Sequence, residues 1–166
     1  MSIGTIEIII EVIFIGVGAT LFMDLWSLVL RKIFNIKGLN YEMVGRWIGH
    51  LPKGKFRHQR IDQANKVIGE KFIGWSSHYI IGIIFSALLI SLWGVEWISS
   101  PSLIPALIIG ISTVLAPFLI LQPALGAGVF AKNTPKPNIA RLKSIMAHTS
   151  YGLGLYLSGR LLSVIV

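Results

Sequence analysis

The sequence predicts an all-α, polytopic membrane protein: a bundle of four transmembrane helices with an amphipathic interfacial helix in the first inner loop. Three observations predict it. The chain of 166 residues is 54% hydrophobic and 13% charged, too apolar to clothe a soluble domain of this size. Four apolar stretches, residues 3–30, 72–94, 103–125 and 144–166, each reach the roughly 20 residues that a helix needs to cross a bilayer. Finally, every Lys and Arg except Arg160 falls in the two segments between spans, 31–71 and 126–143. The whole chain, 1–166, reads as a single membrane domain.

The first span carries Glu7 and Glu11 ahead of its apolar core and no small-residue cleavage site after it. It is therefore expected to stay in the mature protein, with both acids at the outer headgroup level. Segment 31–71 is strongly basic, with Arg31, Lys32, Lys37, Arg46, Lys53, Lys55, Arg57, Arg60, Lys66 and Lys71 against Glu42, Asp62 and Glu70. Under the positive-inside rule this loop is cytoplasmic and both termini are outside. Asn40 can cap a helix over Tyr41 to Leu51, with Val44, Trp47, Ile48 and Leu51 on one face laid flat on the inner surface. A second amphipathic stretch is expected from Ile61 to Lys71.

Trp93 and Trp97 end the second span as an outer aromatic belt. The third span is interrupted by Pro117 and Pro123, whose freed carbonyls call for protein or a polar cavity beside them. Gly152, Gly154 and Gly159 in the fourth allow close helix contact. His78 and Gly82 have the spacing of His148 and Gly152, and Gly16 aligns with Gly110 across a first loop much longer than the second, so the chain reads as two related hairpins.

Asp24, His78 and His148 are the conspicuous ionisable groups within the inner halves of the spans. At ~1.5 Å per residue, each lies about 8 to 10 Å from the inner basic rim, and Gln122 joins them, so the four form one predicted polar layer. Ionisable groups are expensive in lipid, and their default reading is functional. The layer suits binding or translocation of a small solute, ion or proton. Asp24, His78 and His148 also have the ligand inventory of a two-histidine, one-carboxylate centre, so a divalent metal is a candidate there, in a metal-binding protein or an enzyme acting on a lipid-soluble substrate. The bland alternative is a structural subunit of a membrane complex, with these groups holding helices together. No other cofactor and no catalytic residue is predicted, and a non-enzymatic role is favoured. In the basic loop, Arg46, Trp47, Arg57 and His58 are candidates for contact with anionic lipid headgroups or an anionic ligand. The partners expected are the bilayer and another copy or a membrane complex. Nucleic acid is not expected, because the charges follow membrane topology. No nucleotide-binding or hydrolase motif occurs.

The segments Gly18-Ala-Thr-Leu-Phe-Met-Asp24-Leu-Trp26, Val44-Gly-Arg-Trp47, Gly74-Trp-x-x-His78-Tyr79, Gln122-Pro-Ala-x-Gly126 and Ala147-His148, with Gly152-Leu-Gly154-Leu-Tyr156-Leu, resemble a bacterial family of small four-span membrane proteins. That family is domain of unknown function 2938. The resemblance implies an inner-membrane location and no particular activity.

Overall fold

The computed structural model describes residues 3–165. Its elements are helices and turns: α1 (Ile3–Phe34), α2 (Tyr41–His50), α3 (Glu70–Trp93), α4 (Glu96–Ser99), α5 (Leu103–Ser112), α6 (Gln122–Leu125) and α7 (Pro137–Ile165). No strand occurs among the described residues. Contacts divide the chain into two units, one holding the chain up to Lys37, Tyr79–Thr113 and the chain from Ala147, the other Gly38–His78 and Val114–Met146.

Among the described residues three helices are long and apolar enough to cross a membrane: Gly4–Phe34, Glu70–Trp93 and Leu103–Leu125, with mean hydropathies of 2.2, 1.7 and 2.4. That corrects the count of four. The fourth predicted stretch is helical and α7 is longer than expected, starting at Pro137 inside the predicted loop, but it is not apolar enough to qualify. His148 and Arg160 lower its average most, and its buried face, built from Ser150, Tyr151, Gly152, Gly154, Leu155, Ser158, Gly159 and Leu162, adds little to raise it. A helix packed among others buries small and polar residues, and these lower its average hydropathy. Beside Asn138 and Arg160, its exposed positions are apolar, among them Leu153, Leu157, Leu161 and Val164. The same holds along α1, where Ile6, Ile10, Ile13, Val17, Leu21, Leu25 and Leu28 are all exposed. So much open apolar surface is that of a membrane protein.

In the first unit the core runs through Ile15, Ala19, Leu89, Ile109 and Leu155. Helices approach at matched glycines. A Cβ on Gly16 would stand 2.6 Å from Ile83 Cα and 3.1 Å from the Gly82 carbonyl, while one on Gly110 would strike Gly152 Cα. Each hairpin thus closes on a glycine at the position that the sequence pairing assigns. Buried hydroxyls donate to helix carbonyls at these crossings, Thr20 to Gly16 (2.7 Å), Ser86 to Val12 (3.0 Å) and Tyr151 to Gly82 (2.6 Å), as a medium without water demands. Trp97, expected in the outer belt, is instead buried, with its ring over Gly159 and its Nε1 donating to the Ser102 carbonyl at 3.2 Å. The positive φ of Gly94 (86°) turns the chain and folds α4 inward.

In the second unit α2 is capped as expected, with Asn40 Oδ1 accepting from the Glu42 amide at 3.0 Å. Its buried residues differ from the expected face: Val44, Gly45, Arg46 and His50, not Val44, Trp47, Ile48 and Leu51. Gly45 and Gly74 explain the change. A Cβ on Gly45 would collide with the Glu70 carbonyl and one on Gly74 with the Tyr41 carbonyl, so α2 lies backbone to backbone against the first turns of α3. The second amphipathic stretch is not a helix over its length. It is a single turn at Ile61–Gln63 followed by irregular chain, and α3 begins only after Gly69, whose φ is +77°. Pro117 is absorbed by a wider π turn, Pro117–Leu121, in which the Gln122 amide donates to the Pro117 carbonyl.

Candidate functional site

The predicted polar residues divide between the units, Asp24 and His148 in the first, His78 and Gln122 in the second. In the first unit, Tyr79 donates its hydroxyl to Asp24 Oδ2 at 3.1 Å, from α3 to α1. His148 Nδ1 lies 3.0 Å from Thr113 Oγ1, and that hydroxyl donates to the Gly110 carbonyl at 2.7 Å. With its proton committed to Gly110, Thr113 can only accept. His148 therefore carries its proton on Nδ1, and in the neutral ring Nε2 is an acceptor.

In the second unit, His78 stacks on Tyr41 with ring centroids 4.1 Å apart, and Trp75 meets it edge-on at 5.9 Å. The glycine crossing of α2 and α3 sets this stack, because it brings Tyr41 over the first turns of α3. Gln122 Nε2 donates to Ser144 Oγ at 3.2 Å, and its Oε1 is buried without a hydrogen-bond partner. Each of the four predicted residues is thus engaged with groups that the sequence did not single out. Among the described residues no three His, Cys, Asp or Glu side chains gather as a metal-binding group.

The basic loop is more ordered than its charge suggests. Arg46, expected to face headgroups, is buried: its Nε and Nη2 bond the two oxygens of Glu70 at 2.9 and 2.8 Å, and its Nη1 reaches the carbonyls of Ile61, Asp62 and Ala64. Glu70 also accepts from the Val67 amide at 3.0 Å. This clamp pins residues 61–70 to α2, and the carboxylate raises the Arg46 pKa further. Trp47 donates to the Phe56 carbonyl at 2.9 Å. Arg57 is exposed.

His58, the last of the predicted loop residues, pairs with His50, Nε2 to Nδ1 at 2.9 Å. The pair closes the loop, and the His58 amide donates to the Ala124 carbonyl at 2.8 Å. Burial, then the positive neighbours His58, Lys53 and Lys55, lower the His50 pKa, while the Asn65 carbonyl against its ring acts the other way. His50 is therefore neutral near pH 7. Its ring N–H faces Asn65, so Nδ1 accepts from His58 Nε2–H, and His58 Nδ1 remains as a buried acceptor without a partner.

Comparison with protein families decides the affiliation. A family model described as protein of unknown function (DUF2938) matches residues 13–162. The chain belongs to this DUF2938 family. The match covers both units and every residue of the predicted polar layer. No curated protein and no solved structure matches the chain. Reasoning about this DUF2938 protein therefore starts from its own side chains. Sequence reading missed Tyr79, Thr113 and the His50–His58 pair, because no spacing rule links residues 55 or 35 positions apart. The one available signal was that Tyr79 follows His78 within a motif already singled out.

Proposed function

We propose that this DUF2938 protein crosses the bacterial inner membrane four times, both termini periplasmic, and binds or translocates a proton, ion or small polar solute. The route uses polar side chains near the cytoplasmic face. α7 supplies the fourth crossing: its 29 residues exceed the roughly 20 required, and its outward positions are apolar. Arg160, exposed near its far end, would extend to the outer headgroups.

The observation that carries the functional reading is the pair of preorganised ionisable groups on long helices: Asp24 on the Tyr79 hydroxyl and His148 on Thr113. A carboxylate and an oriented imidazole are expensive in hydrocarbon, and helix adhesion needs neither charge nor a fixed tautomer. Protons are the simplest cargo for such groups, so proton flux is the first test. In vesicles containing a pH-sensitive dye, an imposed potential should drive proton entry through the wild-type protein, and Asp24→Asn or His148→Gln should cut the rate by about tenfold or more. Both variants keep hydrogen-bonding capacity and close volume. Flux equal to that of empty vesicles, or unchanged in the double variant, rejects proton passage through these residues.

A further inference from the structure

We infer that the cleft lined by His50, Lys53, Lys55, Asn65 and Lys66 binds a phosphate group, either free or as a phosphomonoester headgroup. The cleft has a volume of about 390 Å³ and is completed by Val67 and Ile68. It is independent of Asp24 and His148, so the proposed function can fail without it, and the reverse.

The local fold builds the cleft. α2 ends at His50, Leu51–Lys53 make one further turn, and Gly54 adopts a φ of +72° that closes it, with the Lys55 amide donating to the His50 carbonyl at 3.3 Å. This brings Lys53 and Lys55 to the same end of α2 as His50. The opposite wall is the chain at 65–68, held in place by two contacts. The Arg46–Glu70 clamp fixes its end, and Gly49 lets Val67 lie against α2, since a Cβ there would stand 2.6 Å from Val67 Cγ1.

Charge decides the ligand class. No carboxylate lines the cleft. Glu70, the acid whose field reaches Lys66, is answered by two N–H groups of Arg46. Asp62 is paired with Arg60 at 2.6 Å. Among the described residues the three cleft lysines make no ion pair, so three ammonium groups converge without a counter-charge. The buried His50 at the floor feels Lys53, Lys55 and His58 as repulsive neighbours. A dianion entering here would offset the charge of the three ammonium groups and take donors from them, as phosphate does from lysine, while the neutral His50 ring, its N–H on Asn65, reports the change of field beside it. The volume exceeds one phosphate and leaves room for a small organic group, whereas a polymer would not fit inside.

The test has two arms on the full-length protein. In zwitterionic detergent, inorganic phosphate is titrated while the histidine ring signals are followed by NMR. In lipid nanodiscs, phosphatidylcholine is compared with phosphatidylcholine containing phosphatidic acid. Saturable movement of the His50 signals is expected in at least one arm: the first identifies a soluble ligand, and the second alone identifies a lipid headgroup. Lys53→Gln, Lys55→Gln and Lys66→Gln should each weaken binding by about tenfold, the loss of one charge-assisted bond. These positions are exposed and their replacement should leave the fold intact. The control removes equal charge elsewhere, at Lys132, Lys136 and Lys143. If neither arm moves the His50 signals, or if the control weakens binding as much as the cleft triple variant, the cleft is not a phosphate site.

Discussion

Gly45→Ala should unfold the second unit at a temperature roughly 10 °C below that of the wild type. The new methyl group would collide with the Glu70 carbonyl and approach the Gly74 amide at 2.7 Å, and neither is the yielding end of a side chain. α2 must move away from α3 or the helices must bend. Overpacking of this kind costs about 3 kcal/mol, and a chain of this size loses roughly 3 °C per kcal/mol. The damage should spread beyond the clash, because the same crossing brings Tyr41 onto His78 and Arg46 onto Glu70. A suitable control is Gly4→Ala, where the added Cβ meets nothing within 4 Å. Thermal melts in detergent, read by the loss of the monodisperse elution peak, should separate the two. Equal melting temperatures would show that α2 is not docked through Gly45.

Arg46→Met should be comparably harmful, for an electrostatic reason. Arg46 and Glu70 expose only 8% and 12% of their side chains. Removing the guanidinium strands the Glu70 carboxylate in a poorly hydrated place and leaves three backbone carbonyls without their donor. The expected loss is about 3 kcal/mol, the lower end for breaking a buried pair, because the clamp lies close beneath the surface. The double variant Arg46→Met, Glu70→Met should recover part of the loss, since no charge is then stranded. If the single variant melts with the wild type, the clamp is ornamental. If the double variant is worse than the single, shape rather than charge holds residues 61–70 in place.

These two expectations show where the sequence was legible. The long helices followed from apolar length alone, and the Asn40 cap and the ends of α2 from local rules that need no tertiary knowledge. Val44-Gly-Arg-Trp47 and Gly74-Trp-x-x-His78 stood out as motifs, but not that Gly45 and Gly74 are the two sides of one crossing. That fact inverts the exposure of Arg46: a basic residue on a short amphipathic helix reads as surface, and here it is the centre of a clamp. For a different reason, the fourth predicted span did not qualify. Hydropathy averages over a whole helix, so His148 and Arg160, with the buried Ser150 and Ser158, pull down the average that Leu153, Leu157 and Leu161 of α7 raise. Depth along a span places Asp24 and His148 on long helices and no more. It could not supply Tyr79 or Thr113, which neighbouring helices bring into place.

Because α7 is the helix that hydropathy does not count, its crossing is the most direct test of the account, and single cysteines provide it in a chain that has none of its own. With impermeant thiol reagents on spheroplasts, Ser100→Cys and Val164→Cys should be labelled in intact cells, and Lys55→Cys and Lys136→Cys only after the membrane is opened. That pattern requires three crossings after residue 55, the last of them by α7, with the C-terminal end outside. Labelling of Val164→Cys only in opened membranes, with the other three positions unchanged, would show that α7 does not cross and contradict the account.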